Sequence, residues 1–367
     1  MKNIKKLLSL VLVLTLLVPN MVFANDLNQS TDELEIQDLE LTQEEKLELE
    51  EIRQLINGFS ERKKIDTSKV DFEGKQVRII VELEEKPVIF YATDMGISYS
   101  QMTQDRIEAI EDRIVDKQQL VKSEIKNRNI GFKVEKSFNT VFNGFSGEAK
   151  YEDIEKIERV PGVKKVYISQ EYERPSIKPD MNSSNEMVRS LDTWELGYKG
   201  EGMVVAIIDT GIDPFHKDMV LSEGTTPKLT EASLEGKGLP GKYYTPKVPY
   251  GYNYYDLNDE ILDIGPDASE HGMHVAGTVG ANGDVENGGI KGVAPECQLL
   301  AMKVFSNDPV YATTFDDIYL AAIEDAIKLG ANVLNMSLGS TASFYIPESA
   351  VNKAISNAVA NGIVCSI

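Results

Sequence analysis

Residues 203–213 read MVVAIIDTGID, a near-continuous apolar run that ends on a carboxylate and then turns. Such a run predicts a strand of a parallel sheet, with Asp209 at the carboxyl edge, where α/β proteins place ligands. Gly211 permits a sharp turn there, and Asp213 can cap a turn through its side chain. On these residues alone Asp209 is either a reacting group or a turn cap.

Moving toward the carboxyl end, strand and helix patterns alternate. A helix opens at His271, QLLAMKV (298–304) reads as a strand, and FDDIYLAAIEDAIKLG (315–330) as a helix closed by Gly330. ANVLNMS (331–337), a helix near Glu348 to Ala360 and GIVCSI (362–367) continue the series. This alternation predicts a parallel sheet covered by helices. Toward the amino end, EYERPSIKPDMNSSNE (171–186) is polar and carries Pro175 and Pro179, which marks a domain boundary.

Before that boundary, QVRIIVEL (76–83) alternates like a strand, and Ile107, Ile110, Ile114, Val121 and Ile125 recur at helical spacing. FKVEKSF (132–138) and VFNGFSGEA (141–149) predict two strands around Asn139. YEDIEKIER (151–159) predicts a short helix, and VKKVYIS (163–169) a strand. The order strand-helix-strand-strand-helix-strand is the ferredoxin-like arrangement of a small α+β domain.

The first 24 residues carry Lys2, Lys5 and Lys6, an apolar run from Leu7 to Val18, and Val22 and Ala24 at the −3 and −1 positions of a signal-peptide cleavage site. The run is shorter than the ~20 residues that span a bilayer, and no later segment qualifies, so no transmembrane span is expected. Residues 25–75 begin as a strongly acidic stretch and form a spacer. The expected division is therefore 1–24 signal peptide, 25–75 acidic spacer, 76–172 ferredoxin-like domain, 173–190 processing linker and 191–367 parallel-sheet domain. The net charge of −21 has the wrong sign for a nucleic-acid partner. Two cysteines, Cys297 and Cys365, are too few for a disulfide framework, and buried inert thiols would suit secretion.

Two of the three histidines stand together in SEHGMHVAGTVGA (269–281), where Gly272, Ala276, Gly277 and Gly280 allow a helix to pack closely. His271 opens that helix and is placed to shuttle a proton, while His274 faces elsewhere. A metal site on the His271/His274 pair competes with this reading, but HExxH is absent and no third histidine or cysteine lies nearby. His216 reads as a loop residue.

IIDTGID, HGMHVAG and NMSLGS (335–340), in that order, resemble the subtilisin-like serine peptidases. DTGIDPFHKDM, KVPYGYNY, HGMHVAG with Met273, and APECQLLAMKVF look most like the large cell-envelope peptidases, the lactocepin and complement-anaphylatoxin-cleaving group. The likeness covers Thr193 to Ile367, and residues 76–172 resemble the inhibitor-I9-type prodomain that precedes many such enzymes. The resemblance implies a secreted serine endopeptidase made as a self-processed precursor, wall-associated where a carboxyl-terminal anchor exists. Its fold would be an α/β parallel-sheet catalytic domain behind a ferredoxin-like prodomain. Asp209 would orient the imidazole of His271, and His271 would take the proton of the nucleophile and return it to the leaving amine. Ser337, Leu338 and Gly339 would form an extended edge that pairs with substrate backbone.

The partners implied are a polypeptide substrate and the chain's own prodomain as an intramolecular inhibitor. The prodomain tail is expected along Ser337 to Gly339, with processing between about Tyr172 and Met187. No cofactor is required. Calcium is possible at Asp218, and at Asp284 and Asn287 in ANGDVENGGIKG (281–292). The family's nucleophile lies on a GTS-like segment and its oxyanion amide in an AGN-like loop; neither occurs before Ile367, so the chain as given is expected to be an inactive fragment. For subtilisin itself, the source of the figure, losing the serine costs on the order of 10^6 in turnover. Two rivals share parts of the pattern. An aspartic peptidase shares DTG but leaves HGMHVAG and NMSLGS unexplained, and a secreted pseudo-peptidase or free prodomain would bind another protease rather than cleave substrate.

Overall fold

The computed structural model describes residues 74–175, 184–265, 268–311, 313–338 and 349–367. The signal-peptide reading, residues 25–73 of the spacer, residues 176–183 of the processing linker and Gly339 lie outside the described residues.

The amino-terminal part runs β1 (Gln76–Leu83), α1 (Val88–Asp94), α2 (Gln104–Asn127), β2 (Phe132–Phe138), β3 (Gly144–Lys150), α3 (Ile154–Glu158) and β4 (Val163–Ile168). Its sheet has the order β2-β3-β1-β4, with β1 antiparallel to both neighbours. This is the ferredoxin-like topology. In α2, Ile107, Ile110, Ile114, Val121 and Ile125 are all buried, as their spacing requires. One expected strand is shorter than its sequence pattern. Residues 141–143 leave the sheet because the N–H groups of Val141 and Phe142 bond to the carboxylate of Glu324 instead. The helix α1 carries no strong periodic signal in sequence.

Beyond β4 the chain forms β5 (Glu171–Glu173), then α4 (Ser184–Met187), α5 (Ser190–Glu195), β6 (Val204–Asp209), α6 (Glu231–Leu234), β7 (Tyr250–Asn253), α7 (His271–Gly280) and β8 (Gln298–Lys303). It ends with β9 (Thr313–Phe315), α8 (Asp316–Lys328), β10 (Val333–Asn335), α9 (Ala350–Ala360) and β11 (Val364–Ser366). Five of these strands make a parallel sheet, β11-β10-β6-β8-β7, with β6 at its centre. All six residues of β6 and all six of β8 are buried, which accounts for their continuous apolar character. Asp209 and Lys303 face each other in register at the carboxyl ends.

The two sheets share an interface through α8 and α9. Ile80, Phe138 and Phe142 of the amino-terminal part belong to the same buried cluster as Leu320, Ile323, Ala350 and Ala354. Polar anchors ring this core. Asp317 accepts two bonds from Arg78, at 2.7 and 2.9 Å, and one from Ser146 Oγ at 2.8 Å. Lys353 donates to Glu82 at 2.8 Å, and Asn361 Oδ1 accepts from the N–H of Tyr99 at 2.7 Å. Glu324, 4% exposed, accepts from four consecutive backbone N–H groups, Asn139 to Phe142, at 3.1, 2.8, 2.5 and 3.1 Å.

The stretch read as an irregular boundary begins with a strand. β5 pairs antiparallel with β9, register Glu171↔Phe315, Tyr172↔Thr314 and Glu173↔Thr313. Pro175 ends it. Both strands are too short to stand out in sequence.

Candidate active site

Asp209 sits at the end of the central strand, 1% exposed. His271 opens α7, and its Nδ1 lies 2.8 Å from Asp209 Oδ1 and 3.1 Å from Oδ2. An ionised carboxylate only accepts hydrogen bonds, so Nδ1 carries the proton and donates it. Burial pushes the Asp209 carboxyl up, while the bonds from His271 and from the Thr210 N–H, at 2.7 Å, oppose that shift. His271 is held above the usual imidazole range, chiefly by its hydrogen bond to Asp209 and further by the charges of Asp209 and Asp263, against partial burial.

Small residues make this approach possible. Gly272 lies so close to the turn after β6 that a Cβ there would stand 2.5 Å from Gly211 O and 2.7 Å from Gly211 N. Gly211 itself has φ +139 and would press a Cβ to 2.4 Å from Ile261 O. The Gly272 N–H bonds Thr210 Oγ1 at 3.0 Å, tying the helix mouth to the strand end. On the other flank the fully buried ammonium of Lys303 donates to Thr210 O, and desolvation pulls its pKa down to about 8. Asp213 accepts from the Phe215 N–H at 2.9 Å and so caps a turn.

Asp263 completes the surroundings. One of its oxygens accepts from the N–H groups of Ser269 and Glu270, at 3.2 and 3.1 Å, the two residues before His271. The other receives Arg174 Nη1 at 2.6 Å. A cleft of about 550 Å³ opens beside the helix mouth, lined by Asp263, Glu270, Met273, His274, His216 and Asp213 among others. His274 thus faces this cleft, and His216 accepts the Asp218 N–H on Nδ1 at 3.2 Å. Among the described residues no group of three or more His, Cys, Asp or Glu side chains is arranged to hold a metal.

The calcium candidates are engaged otherwise. Asp218 Oδ1 takes the ammonium of Lys217 at 2.9 Å and its Oδ2 the Ile290 N–H at 3.2 Å, while the same ammonium bonds Gly288 O at 3.1 Å. Asp284 accepts from the side chain of Asn287 at 2.6 Å. The Lys217 ammonium thus links the Asp218 carboxylate to the Gly288 carbonyl. Ser337 is exposed after β10, with its hydroxyl on Asn335 Oδ1 at 3.1 Å; Leu338 is half-buried beside it. The described backbone partner of residues 171–173 is β9, which sequence reasoning missed. Cys297 is buried and its thiol is raised by burial, whereas Cys365 is only half-buried.

Of the residues missed in sequence, Lys303 had a signal: it closes an apolar strand in register with Asp209. Asp263 and Arg174 had none, because both lie in irregular chain and meet only in space.

A family model described as the subtilase family matches residues 200–367, and one described as peptidase inhibitor I9 matches residues 80–175. The chain belongs to the subtilase family. Its relatives include a PII-type proteinase of Lacticaseibacillus paracasei, 40% identical over 309 residues, which cover 82% of this chain and 16% of the relative. The minor extracellular protease Vpr of Bacillus subtilis is 32% identical over 79% of this chain and 33% of its own length. Fervidolysin of Fervidobacterium pennivorans, a solved structure, matches 80% of this chain and 40% of its own at 21% identity, with a TM-score of 0.45. This subtilase chain thus spans about a sixth of the length of the first relative.

Proposed function

We propose that this chain belongs to a serine-type endopeptidase, secreted and made as a precursor that its own prodomain holds inhibited. The observation that carries the reading is the 2.8 Å contact between His271 Nδ1 and the buried Asp209. Asp209 fixes the tautomer and orientation of the imidazole, leaving Nε2 to remove a proton from a hydroxyl nucleophile and then protonate the leaving amine. The positive charge that His271 acquires in that step is stabilised by Asp209 and, more remotely, by Asp263. The reading requires a serine hydroxyl at Nε2, and among the described residues the hydrogen bonds of the His271 ring are those of Nδ1 to Asp209. Ser337 and Leu338 are assigned to binding substrate backbone, together with Gly339.

The inhibited state is supported by the tail of residues 171–174, which adds a strand to β9 and ends with Arg174 on Asp263, next to the helix mouth. Self-processing is assigned to the stretch between about Tyr172 and Met187. Among the described residues no helix is long and apolar enough to cross a membrane; secretion rests on the pattern of residues 1–24.

The test is to express the intact gene product and follow casein hydrolysis together with covalent labelling by a serine-reactive phosphonate. Hydrolysis and labelling that both disappear in His271→Ala support the reading. A product with an N-terminus near Asn25 and an undiminished prodomain would contradict self-processing. An intact product that binds another protease and cleaves nothing would replace the reading with that of an inhibitor.

A further inference from the structure

Lys303 closes β8 in register with Asp209 and is fully buried. Taking an ammonium out of water is costly unless it is well partnered, and an apolar side chain of similar length would fill the slot without that cost. Backbone bonds already hold the strand end: the Val304 N–H donates to Asp209 O at 2.9 Å, and the Tyr254 N–H to Lys303 O at 2.8 Å. The charge therefore serves something other than register.

Its contacts lead to the two sides of the site. The ammonium donates to Thr210 O, and Thr210 in turn gives its N–H to Asp209 Oδ1 and takes the Gly272 N–H on Oγ1. On the other side Asp263 Oδ1 lies 4.0 Å from the ammonium, while Asp263 Oδ2 holds the N–H groups of Ser269 and Glu270. One buried cation thus stands between the turn that follows Asp209 and the loop that delivers His271. Desolvation pulls its pKa down to about 8, against the charges of Asp263, Asp256 and Glu260 and with that of Arg174. The carboxylates that act on His271 are Asp209 and Asp263. In the precursor Asp263 is shared between Arg174 and Lys303. Once the tail has left, Lys303 stays beside it.

We propose that Lys303 is a positioning residue for peptide-bond hydrolysis: its ammonium ties the turn after β6 to the loop before α7, so that Asp209 and His271 keep their contact, and its charge balances Asp263 in the surroundings of the imidazole. The proposal rests on the peptidase reading. With the ammonium removed, Asp263 stays charged, because two N–H groups still bond it. Its field then favours the protonated imidazole more strongly, and the general base is neutral only at higher pH. With Asp263 neutralised instead, the ammonium disfavours the imidazolium, and the base is neutral at lower pH.

The test compares the processed intact enzyme with Lys303→Met, Asp263→Asn and the double variant on one fluorogenic peptide, with active sites counted by phosphonate labelling. Lys303→Met should lower kcat about 10- to 100-fold with little change in KM, and move the acid limb of kcat/KM up by about 0.5–1 in pH. Asp263→Asn moves that limb down, and the double variant returns it close to the wild-type position. An unmoved limb in Lys303→Met overturns the proposal whatever happens to Tm, because a merely structural lysine would cost stability and leave the pH profile alone. If Lys303→Met does not fold, Asp263→Asn decides: a limb at lower pH supports the proposal, and an unmoved one overturns it. A wild type that neither labels nor cleaves removes the peptidase reading and this proposal together. A wild type that does both, with unmoved limbs in the variants, removes this proposal alone.

Discussion

Replacing Glu324 by alanine removes one carboxylate that accepts four N–H groups, Asn139 to Phe142, from the turn between β2 and β3. Thr140, Val141 and Phe142 are buried, and Asn139 is half-buried. Hydrogen bonds to a charged group contribute about 1.5–3 kcal/mol each when measured singly. Four such bonds are not additive, and water can reach the Asn139 end, so we expect the docking of this turn to weaken by about 3–5 kcal/mol. At ~1.4 kcal/mol per tenfold, that is about 10^2- to 10^4-fold faster amide exchange over residues 140–142, read by hydrogen exchange and mass spectrometry. Glu324→Gln sharpens the test. It places a donor where one oxygen accepted, and should cost at least half as much. Unchanged exchange and less than about 1 kcal/mol in urea unfolding for both variants would refute the assignment of Glu324 as the anchor of the prodomain.

Other consequences follow from the same contacts. Gly272→Ala forces a Cβ to 2.5 Å from Gly211 O, and should destabilise by about 1–3 kcal/mol or more in denaturant titration; a neutral outcome would mean that α7 can slide freely from β6. With Lys217 on Asp218 and Gly288 O, millimolar calcium should leave Tm unchanged relative to chelator, and a rise of several degrees would show that the ion displaces the lysine. Burial raises Asp316 and Asp325 to about 6 each, and His271 is raised by Asp209. In each case the folded state binds more protons than the unfolded state between the two pKa values. Stability from these groups is therefore larger below that window and declines as pH rises through it. Tm should then be higher near pH 5.5 than near pH 8, and the reverse order would contradict these shifts.

Much of the fold was legible because continuous apolar runs and period-3.6 isoleucines each admit few arrangements. β6, β8, α2 and α8 all occupy the stretches where sequence put them. Asp209 and His271 were legible for a related reason: a carboxylate at the end of an apolar strand and a histidine opening a glycine-rich helix are local signals. What sequence could not show depends on meetings across space. β9 is three residues long, and among the described residues its strand partner is β5. Asp263 occupies an irregular loop, and its role emerges from Arg174, 89 residues earlier. The turn at Asn139 looked like the start of a strand because Val141 and Phe142 are good strand residues. Their amides are claimed by a glutamate in a distant helix.

The central claim is that the Asp209–His271 pair activates a serine hydroxyl, and phosphonate labelling of the intact gene product tests it most directly. Wild type should be labelled covalently. His271→Ala should lose labelling and turnover, and Asp209→Asn should lose about 10^4-fold in kcat, the loss measured for type enzymes of such triads, with the acid limb of the remaining activity moved to lower pH because the imidazole no longer has a charged partner. Undiminished labelling and turnover in His271→Ala would contradict the account.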